Sequence, residues 1–84
     1  MKILSSNIVY IIRIGEDLGE ESRYIYSKRV CVHFPEYAAK YSCWESAYHS
    51  YKNSDYYVNG EKAAILLYDR NKNELVEQKN MKAV

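Results

Sequence analysis

Apolar and polar positions along this chain separate several strands from one helix. Residues 7–15, NIVYIIRIG, are apolar at nearly every position, rich in β-branched side chains, and end at Gly15 before an acidic stretch. That pattern predicts a central strand. The polar segment EDLGEES, containing Gly19, then joins it to a second run from Arg23 to Phe34, which reads as a hairpin with a longer loop.

Within RYIYSKRVCVHF the series Tyr24, Tyr26, Val30, Val32 and Phe34 occupies one strand face, and Lys28 interrupts it. The interruption predicts a bulge near Ser27 to Arg29 or a solvent-exposed strand end. Pro35, which has no N–H to donate, stops the ladder.

The period then changes from two to nearly four. PEYAAKY suits a helical turn with Pro35 at its first position, and the main helix is expected over about residues 42–53, extended back to 35 by that turn. Ser42 and Glu45 have the S-x-x-E spacing of a capping box. Trp44, Ala47, Tyr48 and Tyr51 follow i, i+3, i+4, i+7 spacing and share one helix face.

Beyond the helix, Asn59-Gly60 and RNKN are turn signals around the apolar run Ala63 to Tyr68. They predict a short strand at Tyr56 to Val58 turning through Asn59-Gly60 into the next, and a last strand from Glu74 to Lys79. Residues 80–84 read as a frayed tail. The order ββαββ predicts a single α+β domain over residues 1–84, a two-layer arrangement in which an antiparallel sheet of four to five strands packs on one main helix.

Composition supports folding and narrows the partners. The chain has 84 residues, 48% of them hydrophobic, and only three Gly and one Pro, which suits one ordered domain. Twelve Lys and Arg balance eleven Asp and Glu at a net charge of +1. That balance argues against both carboxylate mimicry of DNA and an electrostatic DNA clamp. The N-terminal MKILSSNIVYIIRIGED is broken by SSN and Arg13 and has no small-residue cleavage site, and no stretch is long and apolar enough to span a bilayer. The expectation is a cytoplasmic protein without a membrane partner.

Candidate chemistry is sparse. Cys31, His33, Cys43 and His49 are zinc-type ligands, but Cys43 and His49 lie roughly 240° apart around a helix, so no metal site is expected. Three glycines leave no oxyanion loop or phosphate-binding run, and neither enzymatic activity nor a cofactor is expected. A Cys31–Cys43 disulfide would close a short loop, but in a reducing compartment both are expected as free thiols in the core.

The remaining surplus is aromatic: ten tyrosines, five of them with Trp44 between residues 40 and 60. The helical stripe accounts for some as packing. Others must meet solvent or a partner, because neighbouring strand positions face opposite ways. Tyr and Trp are frequent anchors of protein interfaces. This points to a partner-binding surface of Tyr24, Tyr26, Tyr37, Tyr56 and Tyr57, with Lys28, Arg29 and Lys52 steering the encounter. The same Tyr24 and Tyr26 beside Lys28 and Arg29 admit an alternative, single-stranded nucleic acid stacked on a sheet. An exposed sheet edge also admits a homodimer.

FPEYAAKYSCWESAYHSYKN, running from a strand end into an S-x-x-E helix within the order ββαββ, resembles small phage and mobile-element proteins, including anti-CRISPR-like inhibitors. The resemblance spans roughly residues 7 to 79. It implies a stoichiometric binder of a host protein or ribonucleoprotein complex in the host cytoplasm, and assigns no individual residue.

Overall fold

The computed structural model of the chain describes residues 7–76. Five antiparallel strands, β1 (Ile8–Ile14), β2 (Arg23–Ser27), β3 (Val30–Val32), β4 (Ala63–Asp69) and β5 (Glu74–Leu75), form one sheet in the order β3-β2-β1-β4-β5. Two α-helices lie between β3 and β4: α1 (Trp44–Lys52) and the single turn α2 (Asp55–Val58). The class is the α+β one that the sequence predicts.

β1 is central because it is apolar on both sides. Val9 and Ile11 enter one core with Tyr24, Ala38, Ala64, Leu66 and Tyr68. Ile12 and Ile14 enter the other with Ile25, Ala47, Tyr51, Ala63 and Ile65. α1 covers the second face.

β1 and β4 pair along their whole length, from Ile8 opposite Asp69 to Ile14 opposite Ala63, whereas β1 meets β2 only at Arg13–Tyr24 and Ile14–Arg23. The chain at residues 39–41 fills the opening that follows. Ala39 donates its N–H to the Ile25 carbonyl at 2.9 Å, and Tyr10 and Tyr41 exchange backbone bonds at 2.8 and 2.9 Å. Backbone groups that splayed strands would leave bare are thereby paired. This segment also carries the chain through the sheet, from Ala38 in one core to Tyr41 and Trp44 beside the other.

Four local expectations are corrected. The run from Arg23 to Phe34 is two strands: Lys28 and Arg29 form a tight turn between the paired Ser27 and Val30, and the register slips beside Tyr26. The slip is the bulge that Lys28 foreshadowed. Ser42 does not cap α1. Cys43 is the N-cap, and its side chain accepts no backbone N–H of the helix, so the capping box is not made.

The third correction is the segment before β4, which is the helical turn α2 and not a strand. Asn59-Gly60 ends that turn: Gly60 at φ 80 donates to the Tyr57 carbonyl at 3.0 Å, and Glu61 donates to the Tyr56 carbonyl at 2.9 Å. A left-handed glycine just past a helix and a left-handed hairpin turn have the same sequence signal, and here the helix takes it. Fourth, the turn predicted from Pro35 is a separate 3-10 helix, Pro35–Tyr37, and not part of α1. β5 begins at Glu74 as expected; the rest of the strand expected to Lys79, and the tail at 80–84, lie outside the described residues.

Candidate functional site

α2 has only four residues, too few to persist alone, and its ends explain its presence. Ser54 is fully buried; its Oγ accepts from the Tyr57 N–H at 3.3 Å and donates to the Tyr51 carbonyl at 2.6 Å. Asp55 in the first turn adds a favourable charge at the positive end. With Gly60 closing the other end, the turn holds Tyr56 and Tyr57 about 100° apart around its axis. One packs inward and the other faces out.

Tyr56 packs against the core around Ile12, Ile14 and Tyr51. Burial first, and then the Cys31 thiol hydrogen-bonded to it, push its hydroxyl up to about 12. Burial also pushes the Cys31 thiol up, against the opposing effect of that bond. Beside them Arg23 Nη2 meets Glu61 Oε1 at 2.6 Å, and Tyr51 donates its hydroxyl to the Glu61 carbonyl at 2.5 Å. Neither the phenol nor the thiol is ionised near neutrality, so the cluster ties α1 and the β4 approach to β2 and β3 and presents no activated nucleophile. Both cysteines are free thiols; Cys43 is exposed, contrary to the expected core position, with its Sγ 3.1 Å from Ser46 Oγ.

Four side chains make a continuous array, Trp44 and Tyr48 half-buried against the helix-side core and Lys52 and Tyr57 exposed. Trp44 stacks on Tyr48 with centroids 5.0 Å apart and planes 13° from parallel. Lys52 places its Nζ 5.6 Å from the Tyr48 centroid and 5.3 Å from that of Tyr57, and Tyr57 meets Tyr51 edge-on at 5.3 Å. Positions 44, 48 and 52 lie one turn apart on α1, which is why they align. Both cation–ring distances fall within the attractive range of about 6 Å. Val58 follows, 79% exposed.

The β2–β3 hairpin leans on the same place. The Lys28 carbonyl accepts from the Asp55 N–H at 2.9 Å, and Arg29 Nε lies 3.5 Å from Asp55 Oδ2. That ion pair is exposed on both sides and contributes little stability, but it marks where the hairpin tip sits.

Of the predicted contact residues, the fold gathers Lys28, Arg29, Lys52 and Tyr57 around α2, and Tyr26 stands 58% exposed on the adjoining hairpin, whereas Tyr56, also expected as a contact, turns inward to the core and Cys31. Tyr37, 60% exposed, packs edge-on against Phe34 away from this group. Tyr24 departs from the expectation: at 4% exposure it is a core residue and presents no ring to a partner. The bulge is the reason, because it separates Tyr26 from the face on which Tyr24 and Val32 pack. Sequence reasoning missed the exposure of Phe34 and Val58. For Phe34 the signal was present, since it immediately precedes the Pro35 that ends the ladder.

Among the described residues no three His, Cys, Asp or Glu side chains are grouped to hold a metal ion, and no helix is long and apolar enough to cross a membrane. Compared with known proteins, the chain has no significant match to any family model, curated protein or solved structure.

Proposed function

We propose that this protein acts by stoichiometric, non-covalent binding to another protein, as a phage-type inhibitor of a host defence or nucleic-acid-processing complex. The observation that carries the reading is the Trp44–Tyr48–Lys52–Tyr57 array, continued by exposed Val58 and flanked by the β2–β3 hairpin. Stiff aromatic rings held by stacking lose little conformational freedom when a partner covers them, which is what an interface anchor needs. Lys52 is oriented by two rings before any encounter, and Lys28 supplies charge at the rim.

Nucleic acid is the weaker reading. Stacking on the β2 surface needs both Tyr24 and Tyr26, and only Tyr26 is exposed, while Arg29 is already paired with Asp55. Capture from a bacterial lysate, followed by titration of the captured complex's activity, tests the proposal. Loss of that activity at one equivalent of protein is expected, with capture weakened by Tyr57→Ala combined with Lys52→Ala. Undiminished capture by that folded variant overturns the assigned surface, and steeply salt-dependent binding to a single-stranded oligonucleotide without protein capture overturns the function.

A further inference from the structure

On the sheet face away from α1 a groove of about 710 Å³ opens between the turn Gly19–Glu21 and the segment following β3. Glu20 and Glu21 form one wall, His33, Phe34 and Pro35 the other, and Tyr24 lines it from the sheet. The volume lies within the range of binding sites for small organic groups.

Its charge is one-sided. Residues 16–21 carry four carboxylates and no cation. Asp17 is committed to the loop itself: its Oδ1 accepts from the Gly19 N–H at 3.0 Å and from Ser22 Oγ at 3.3 Å. Those bonds, the Gly19 one first, hold its carboxyl below the ordinary carboxylate range. Glu20 and Glu21 have no such task, and neither forms an ion pair among the described residues. Both are exposed.

The opposite wall is apolar. Phe34 is 60% exposed, and its edge-on contact with Tyr37 steadies the ring. His33 donates from Nδ1 to the Ser22 carbonyl at 3.1 Å, which fixes its ring at the groove edge. Carboxylates across from an aromatic ring match a cation with a flat, weakly hydrated head and an apolar stem, and they repel phosphate. Lysine satisfies half of that description. A guanidinium satisfies all of it, because it can bridge two carboxylates and lie against a ring.

We propose that this groove receives an arginine side chain of a partner protein, its guanidinium paired with Glu20 and Glu21 and its methylenes laid on Phe34 and Pro35. The contact is on the other side of the sheet from the α1–α2 array and stands independently of it.

The test uses the full chain, followed by nitrogen–proton correlation spectra during titration with acetyl-Ala-Arg-Ala-Arg-amide, and with a counterpart whose arginines are glutamines. Saturable shifts at residues 19–21, 33, 34 and 36 with the arginine peptide alone are expected, Pro35 having no amide proton to report. Glu20→Gln with Glu21→Gln should weaken binding about tenfold or more, and Phe34→Ala about fivefold, while Tyr57→Ala leaves it unchanged. All the replaced side chains are substantially exposed, so preserved spectral dispersion reports that the variants fold. Equal shifts with the glutamine peptide, no saturation up to about 10 mM, or unchanged affinity of the double Gln variant each overturn the proposal. So does a dimer, seen by light scattering without peptide, that dissociates in the double Gln variant, since the occupant would then be a second copy.

Discussion

On one side of the sheet, Ala47 and Tyr51 of α1 press onto Ile12, Ile14, Ile25 and Ile65; on the other, the cover is Ala38 and the chain around it. The loop-covered face compensates with size. Tyr24 and Tyr68, at 4% and 1% exposure, lie on that face themselves and fill space that a helix would occupy. Lys40 clamps the cover, donating to the carbonyls of Glu36 at 2.6 Å and Ala38 at 3.0 Å with its Nζ 5.7 Å from the Tyr68 ring centroid. Burial first, and then the nearby Arg70 charge, lower the Lys40 pKa from its ordinary value. A small α+β protein can thus bury a two-sided sheet with one helix, provided that the loop-covered face supplies its own bulky side chains.

The largest effect should come from that bulk. Tyr68→Ala removes a ring packed among Val9, Ile11 and Leu66 and a hydroxyl that donates to Asn73 Oδ1 at 3.0 Å, and should cost about 3–5 kcal/mol in urea unfolding. A cost below about 1 kcal/mol would mean that the loop-covered face is not a true core. Overpacking separates the two covers more sharply. Ala47→Leu, on α1 at 0% exposure, should cost about 1–3 kcal/mol, whereas Ala38→Leu should cost less, because a loop yields more readily than a helix docked on a sheet. Equal costs would erase the distinction.

Ser54→Ala should cost about 1–2 kcal/mol, since it removes the cap of α2 and a buried bond together. The loss of the Tyr57 ring's upfield-shifted signals would report that the outward array depends on that cap. Smallest is an alkaline effect at Tyr56, on the helix-covered face. Tyr56 is raised from 10.0 to about 12 in the folded protein, so folding favours its protonated form. The contribution is full below pH 10 and is lost as pH rises toward 12. Urea midpoints measured over that window should fall less steeply in Tyr56→Phe than in the parent chain.

Much of the fold was legible where one residue could mean one thing. NIVYIIRIG reads as a central strand because apolar side chains at successive positions require cover on both faces, and β1 has it. Trp44, Ala47, Tyr48 and Tyr51 read as the packed stripe of a helix; Ala47 and Tyr51 are buried, and Trp44 and Tyr48 are half-buried beside them. The site was legible in composition more than in position. Lys28 and Arg29, Lys52, and Tyr57 lie in separate segments, and their convergence depends on Asp55 receiving its backbone partner from the β2–β3 turn. No local pattern encodes that bond.

Patterning alone therefore determined that this chain forms an α+β domain, with a twofold-buried first strand, one amphipathic helix and more aromatic rings than its core consumes. Tertiary structure decided the rest where local signals were degenerate. Asn59-Gly60 suits a hairpin or a helix end, and the choice fell to Ser54, which only when buried beneath α1 caps a turn. Tyr24 and Tyr26 have the same spacing relation on paper, and a one-residue slip against β3 sends one to the core and the other to solvent. Side-chain periodicity in a strand is a property of its pairing, so which tyrosines are free to touch another molecule is set by register and not by composition.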